Sequence, residues 1–198
     1  MSFPTSPAFQ SMTFQSILPT FVSTAISGRR QSRQIAGQRW SMTGIMPPMT
    51  RAEFQPIFAF CISKRGMLDS FTVVPPVVSS RLATATLGTP LVNGAHSVGD
   101  RTIATDGWGD ATGLVLKAGD FIKFGSHSKV YMVVADATRS SSAVTISLEP
   151  AIIEDLPNND TITVNSIPFT VSLANPVQEI YTNANGLFTY EIDFIEVF

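Results

Sequence analysis

The sequence predicts a mainly β protein of the α+β class: an N-terminal β-sandwich or barrel domain with one helix, and an inserted β-barrel. Short segments rich in Val, Ile, Phe and Thr recur along the chain and are separated by Gly, Pro, Asn and Asp. Only residues 50–65 carry both the start signal and the apolar spacing of a helix. The last segment, 187–198, alternates as a regular strand, and we expect it to complete the first domain.

The N-terminal segment predicts peripheral strands. Residues 1–37 are rich in Ser, Thr and Pro. Met12–Leu18 and Phe21–Ile26 predict short edge strands, because the nearby prolines cannot donate to the ladder of a central strand. Residues 28–37, GRRQSRQIAG, predict an exposed basic loop or arm.

A strand and the helix follow. Residues 38–44 alternate apolar and polar side chains, which predicts a half-buried strand. Thr50 and Glu53 match a capping box. Pro56 lacks an N–H, so either the helix kinks there or its first turn is separate. Gly66 marks the end. The apolar residues at the spacing of one buried helix face are Phe54, Ile57, Phe58 and Cys61.

The stretch 117–134, KAGDFIKFGSHSKVYMVV, predicts a β-hairpin. Residues 118–120 are a turn signal, and the segments 121–124 and 129–134 are rich in strand formers. A third strand, 144–148, comes after another turn-rich gap. Three consecutive strands of this kind predict a small closed or nearly closed barrel.

The domain limits follow from composition. Residues 77–113 are rich in Gly, Ser and Thr and show few periodic signals, so we place a boundary near 77–90. We expect one β domain of residues 1–84 and 176–198, with the barrel of residues 85–175 inserted into it. The other predicted strands are 70–74, 161–164 and 168–173.

The terminal strand has one irregularity. Phe188, Tyr190, Ile192 and Phe194 fall on one face of the predicted strand. Ile195 breaks this alternation, as a bulge or a switch between sheets would.

Composition limits the class of protein. Hydrophobic residues make up 44% of the chain and charged residues 14%, against about 25% charged in a typical globular domain. Low charge and 14 phenylalanines fit either burial against neighbouring subunits or a rich internal core. The single cysteine, Cys61, excludes an internal disulfide. The first ten residues do not resemble a secretory signal, and no apolar run would span a bilayer, so we expect a soluble protein.

Charge is unevenly distributed. Residues 1–65 carry seven basic residues against the single acid Glu53, whereas eight acids and no Lys or Arg follow Arg139. These charges could be solvated faces, or copies of the chain could set basic faces against acidic ones. Nucleic-acid binding is a third interpretation, which the net charge of −2 disfavours.

The residues with possible chemistry form no recognisable site. His96 and His127 lie in predicted loops without metal-ligand spacing. Residues 106–110, DGWGD, lack the ligand pattern of a calcium loop. Glu154–Asp155 lie in a polar loop, and Cys61 falls on the apolar face of the helix. We therefore expect no catalytic residue, no metal site and no cofactor, and predict that the protein is not an enzyme.

Several of these segments together resemble a known family. GDFIKF, the HSKVY loop, VTISLEPAI and the segment 38–66 are similar to the distal tail (Dit) proteins of long-tailed bacteriophages. The similar subgroup carries an oligonucleotide/oligosaccharide-binding-like (OB-like) barrel as its second domain. The resemblance covers most of residues 38–198, most specifically 118–134.

The resemblance implies a structural virion protein at the distal end of the tail, assembled in the host cytoplasm. In the family, six copies form a ring that joins the tail tube protein to the baseplate hub or tail tip protein. The first domain would surround the channel, and the OB-like barrel would face outward. No individual contact residue can be transferred from the family.

Two other functions stay open at this stage. A carbohydrate- or host-surface-binding module of the tail tip would need exposed aromatics on the barrel, for which Trp108 and Tyr131 are the candidates. A single-stranded nucleic-acid binder would need a basic barrel. Residues 85–175 carry five basic residues against nine acids, which disfavours the second function.

Overall fold

The structure is a computed structural model that describes residues 1–35, 37–84, 88–109, 113–139, 143–182 and 185–198. The described residues form seventeen strands and one helix, so the predicted mainly β class is confirmed. In chain order the elements are β1 (Ser11–Ile17), β2 (Thr20–Thr24), β3 (Arg30–Gln34), β4 (Arg39–Ile45), α1 (Arg51–Ser63), β5 (Phe71–Val73), β6 (Leu91–Val92), β7 (Thr102–Asp106), β8 (Gly113–Leu116), β9 (Phe121–Phe124), β10 (Val130–Val133), β11 (Ala137–Arg139), β12 (Val144–Glu149), β13 (Ile162–Thr163), β14 (Phe169–Leu173), β15 (Tyr181–Thr182), β16 (Phe188–Thr189) and β17 (Glu191–Glu196).

The chain divides into two compact units, one inserted in the sequence of the other. The flanking unit comprises residues 4–70 and 171–197. The inserted unit comprises residues 71–170 together with the terminal residues 1–3 and 198.

The units divide at 70/71 and 170/171, whereas the sequence placed the limits at 84/85 and 175/176. Residues 71–84 belong to the inserted unit because their backbone is bonded there. The N–H of Leu82 donates to the carboxylate of Asp120 at 2.9 Å, and the carbonyl of Ser79 accepts from Ile167 at 3.2 Å. The Gly/Ser/Thr-rich composition of this segment indicates irregular backbone, and it does not coincide with the border between the two units.

The flanking unit is built on antiparallel strands. β1, β4, β17 and β14 are neighbours in that order, with β1 at an edge as its flanking prolines predict. The β1–β4 register runs from Ser11 opposite Ile45 to Ile17 opposite Arg39. On its other side β4 pairs with β17. The prediction that the C-terminal strand pairs back into the first domain is therefore confirmed.

The predicted helix is confirmed as α1. The carboxylate of Glu53 accepts the backbone N–H of Thr50 at 2.9 Å, as a capping box requires. Pro56 lies inside this one helix, so the first turn is not separate. The helix packs through Phe54, whose ring stacks on Phe188 with centroids 4.8 Å apart. In the described part of the chain, no helix is long and apolar enough to cross a membrane.

The predicted bulge or switch between sheets at Ile195 is wrong. β17 pairs with β4 without a shift in register from Glu191 to Ile195. The buried positions are Ile192, Phe194 and then Glu196. A carboxylate can occupy the inward position because it accepts the backbone N–H of Trp40 at 3.1 Å.

The inserted unit forms the predicted barrel. Its six-stranded sheet has the order β13-β9-β10-β12-β7-β6. The two ends of this order approach each other, because Leu91 forms an antiparallel bridge to Thr161. Ile162 also donates its N–H to the carbonyl of Pro90 at 3.0 Å. The sheet is therefore nearly closed. The predicted hairpin of residues 117–134 supplies β9 and β10 at its centre.

Strand β7 was missed in the segment expected to lack periodicity. Ile103 and Thr105 are its buried side chains. Thr105 is tolerated inside because its hydroxyl donates to the carbonyl of Val144 at 2.7 Å. A polar residue at a buried position hides the alternation that would have predicted this strand.

Candidate functional site

The aromatic candidates for ligand binding lie in the interior of the inserted unit. Trp108 is 1% exposed, and its ring N–H donates to the hydroxyl of Thr105 at 2.9 Å. Tyr131 is 0% exposed, and its hydroxyl lies 2.8 Å from Nδ1 of His127 and accepts the N–H of Ile153 at 3.3 Å. The expectation that these two aromatics could form an exposed platform is therefore wrong.

The two histidines also make contacts within the inserted unit. His127 is buried beside Tyr131, and its Nε2 has no hydrogen-bond partner among the described residues. His96 accepts the N–H of Ala104 on Nε2 at 3.2 Å, while its Nδ1 lies 3.5 Å from the carboxylate of Asp100. Each ring is thus positioned by its neighbours in the inserted unit.

The acidic candidates form no metal site in the described residues, which contain no group of three or more His, Cys, Asp or Glu side chains placed to hold an ion. The carboxylate of Asp155 accepts the N–H of Val98 at 3.0 Å, so it holds a loop. Asp110, the last residue of the DGWGD segment, lies outside the described residues.

Cys61 and Tyr190 form a buried polar pair in the flanking unit. Burial raises the pKa of the Cys61 thiol, although its hydrogen bond with Tyr190 opposes this change. Burial likewise raises the pKa of Tyr190, and the charge of an ionised Cys61 and their hydrogen bond act in the same direction. Both groups are neutral near pH 7. Since the thiolate is the nucleophilic form, Cys61 is a packing residue.

The first exposed surface of note is the basic ribbon, which we define as β2, β3 and the turn between them, residues 20–34. Every side chain of the two strands is exposed. Phe21 is 55% exposed and Ile26, at the turn, is fully exposed. The first 52 residues contain no acid. Among the described residues, no ion pair engages the three guanidinium groups of the ribbon. These belong to Arg29, Arg30 and Arg33.

The sequence predicted an exposed basic loop or arm at 28–37. The described residues of this segment are exposed, as expected, and residues 30–34 form a strand that pairs with β2. The sequence RQSRQ has no apolar alternation, so only its pairing partner reveals the strand.

The ribbon continues the β1–β4 hairpin. Only two residues separate β1 from β2. The N–H of Ile35 donates to the carbonyl of Pro19 at 3.0 Å, and the side-chain amide of Gln38 donates to the hydroxyl of Ser16 at 3.0 Å. The chain therefore stays paired across the junction. It leaves the sheet at the end of β4 where Arg39 lies.

The second surface is the acidic cleft, a depression of about 670 Å³ in the flanking unit. Among the described residues it is lined by Ile45, Asn175, Val177, Gln178, Glu179, Ile180, Tyr181, Thr189, Tyr190, Glu191 and Asp193. Three of these side chains are carboxylates and none is basic. Asp193 is partly engaged, since it accepts the hydroxyl of Thr43 at 2.6 Å.

The cleft lies at the opposite end of β4 from the ribbon, because Glu191 pairs with Ile45. Its walls come from segments far apart in sequence. The only sequence signal for it was the excess of acids after Arg139. Such an excess does not say which carboxylates meet.

A scan against models of protein families yields no match, and neither does a search of curated proteins. Function therefore has to be inferred from the fold, the two surfaces and the resemblance of the sequence segments.

Proposed function

We propose that this protein is a structural component of a bacteriophage tail, similar to the distal tail proteins. A ring of copies, six as in that family, would join the tail tube protein to the hub or tip protein of the baseplate. The observation that carries this proposal is the nested architecture. A helix-bearing β unit is completed by β17, and a nearly closed barrel containing the 117–134 hairpin is inserted into its sequence.

The two surfaces support assembly as the mechanism. The basic ribbon and the acidic cleft both expose apolar side chains beside charges of one sign. Surfaces of this kind favour contacts with other proteins. Among the residues considered for chemistry, Cys61, His127 and Tyr131 are instead buried. We infer that the protein acts by forming contacts, without catalysis and without a cofactor.

The observed burial gives no support to a glycan-binding barrel, because Trp108 and Tyr131 are not available to stack on a sugar. Nucleic-acid binding by the barrel is also disfavoured. Lys129 is buried, with Nζ 4.9 Å from the centroid of the Phe198 ring. Arg101 is paired with Glu149, and Lys123 donates to the carbonyl of Pro168 at 3.1 Å. These cations are committed to internal contacts.

The proposal places the protein in the virion, at the tail end remote from the capsid, after synthesis and assembly in the host cytoplasm. Electron microscopy of particles with a gold-labelled antibody against this protein tests it. Gold at the distal end of intact or partly disrupted tails is the expected result. Label on fibres would instead favour a receptor-binding role. Its absence from disrupted particles would overturn the structural function.

A further inference from the structure

We propose that the basic ribbon of one copy docks into the acidic cleft of the next copy. This inference deepens the proposed function, because it names the contact that would hold the ring. It rests on three properties of the flanking unit: the chemistry of the two surfaces, their position at opposite ends of one strand, and the exposure of every side chain in the strands of the ribbon.

The chemistry of the two surfaces matches. Three guanidinium groups of the ribbon face solvent, and three carboxylates line the cleft. Arginine and carboxylate form charge-assisted, often bidentate hydrogen bonds. The apolar side chains match as well. Phe21 and Ile26 are exposed on the ribbon, while Ile180 and Tyr181 are exposed in the cleft. Docking would therefore bury apolar area around the ion pairs.

The geometry requires a second copy. The ribbon leaves β4 at Arg39, and the cleft begins at Ile45, the other end of the same strand. Six residues along a strand span about 20 Å. The ribbon follows β1 in sequence, and β1 runs from Ser11, opposite Ile45, to Ile17, opposite Arg39. To reach the cleft of its own chain, it would have to fold back along the whole sheet.

A ribbon at one end and its receptor at the other define a head-to-tail contact. Contacts of this heterologous type generate a closed ring when the rotation between copies closes, and a filament when it does not. Each copy would donate one ribbon and receive one. The contact also gives the ribbon the support that it lacks alone, because an isolated two-stranded hairpin is only marginally stable in water.

Disulfide trapping between separate chains tests the contact. One purified full-length variant carries Ile26→Cys and a second, with a tag of different mass, carries Tyr181→Cys. The native Cys61 is buried and does not compete. Disulfides form only when Cα atoms approach within about 7 Å. We expect a mixed dimer on oxidation, at least about tenfold more abundant than with a Val98→Cys partner, whose cysteine is exposed on the inserted unit.

Charge reversal then identifies the surfaces. Changing Arg29, Arg30 and Arg33 to Glu in the Ile26→Cys chain should lower trapping about tenfold or more, because like charges would meet. Changing Glu179 and Glu191 to Arg in the Tyr181→Cys chain should do the same. Combining the two reversed chains should restore trapping. Asp193 is left unchanged because its carboxylate accepts a hydrogen bond from the Thr43 hydroxyl.

Single-charge controls, compared with the single reversals Arg33→Glu and Glu179→Arg, test for an effect of net charge. Lys117→Glu in the first chain and Glu154→Arg in the second alter exposed charges outside both surfaces, and should leave trapping within about twofold of the starting pair. Circular dichroism of every variant checks the fold. Three results would overturn the contact. The mixed dimer could fail to form, the Val98→Cys partner could be trapped equally well, or charge reversal could leave the amount of mixed dimer unchanged.

The contact and the proposed function can fail separately, since one is measured on purified protein and the other on particles. Gold at the tail end without trapping would mean that other surfaces hold the ring together. If the mixed dimer forms but disrupted particles carry no gold label, the contact between copies would stand and the proposed role in a phage tail would be rejected.

Discussion

Two β-hairpins of this chain differ completely in burial. In β9–β10, every side chain except Lys123 and Met132 is buried. In the basic ribbon, β2–β3, every strand side chain is exposed. Both are antiparallel hairpins within a single chain. Secondary structure alone therefore does not distinguish a hairpin that builds a core from one that is free to meet a partner.

The difference follows from what lies on each face. β9 and β10 sit inside the sheet order of the barrel, with β13 and β12 as outer neighbours, and bury aromatic rings. The Phe124 and Tyr131 centroids are 5.5 Å apart. The ribbon forms a two-stranded sheet of its own. In the described part of the chain, no element buries the side chains of its strands. We therefore expect the ribbon to contribute to association between copies and hardly at all to the free energy of folding.

The largest effect should come from truncating the buried hairpin. Phe124→Ala should cost about 3–5 kcal/mol of unfolding free energy, because it leaves a cavity in a packed core. Phe21→Ala in the ribbon should change that free energy by less than about 0.5 kcal/mol. Urea denaturation followed by tryptophan fluorescence measures both, with Trp108 in the inserted unit and Trp40 in the flanking unit. Equal costs would show that the ribbon packs on its own chain.

A smaller effect should follow from removing one buried hydroxyl. Tyr131→Phe should cost about 1–3 kcal/mol, since the Ile153 N–H and the His127 ring lose their partner. The matched change Thr20→Val deletes an exposed hydroxyl from the ribbon, and should alter stability by less than about 0.5 kcal/mol. A Tyr131→Phe variant with unchanged stability would mean that the Ile153 N–H and the His127 ring find other hydrogen-bond partners.

The dependence of stability on alkaline pH should distinguish the core of the flanking unit, which contains Cys61 and Tyr190, from the basic ribbon. Ordinary thiols and phenols have pKa values near 9.0 and 10.0, whereas burial raises the pKa of both Cys61 and Tyr190 in the folded chain. The unfolded chain then releases protons first, so stability is full below pH 9 and falls as pH rises. Each group contributes at most about 1.4 kcal/mol per pH unit.

Tyr190→Phe should reduce this alkaline loss of stability, measured by urea denaturation at pH 8, 9.5 and 10.5. Charge reversal of Arg29, Arg30 and Arg33 should leave the difference between these pH values unchanged, because no buried titratable group lies in the ribbon. An unchanged pH dependence in Tyr190→Phe would argue that Tyr190 does not contribute.

Excising the whole ribbon should also have only a small effect on stability. Replacing residues 20–34 with Asn-Gly joins Pro19 to Ile35, which already share a backbone hydrogen bond, through a turn suited to hairpins. We expect a change in unfolding free energy below about 1 kcal/mol. The excised chain carrying Tyr181→Cys should still be trapped by an intact Ile26→Cys chain, because its cleft is unchanged. A chain that fails to fold would contradict the independence of the ribbon.

The sequence predicted the elements whose signals are local. The capping box and apolar spacing of α1, the two strands around residues 125–128, and the alternation that leads into β17 each depend on neighbours a few residues away. Polar residues in strands were the main source of error. Thr105 in β7 and Glu196 in β17 are buried because distant backbone groups bond to them, and β3 is a strand because β2 pairs with it.

Local sequence signals were sufficient to predict the mainly β class, the helix, the hairpin of residues 117–134 and the separation of basic from acidic segments. The three-dimensional contacts establish where the units divide, that Trp108 and Tyr131 are core residues, and that acids of the segments 175–181 and 189–193 line one cleft with Ile45, opposite the ribbon. Periodicity records how a side chain faces along its own strand. Which strands become neighbours depends on pairing between distant segments, and that pairing decides what a surface can bind.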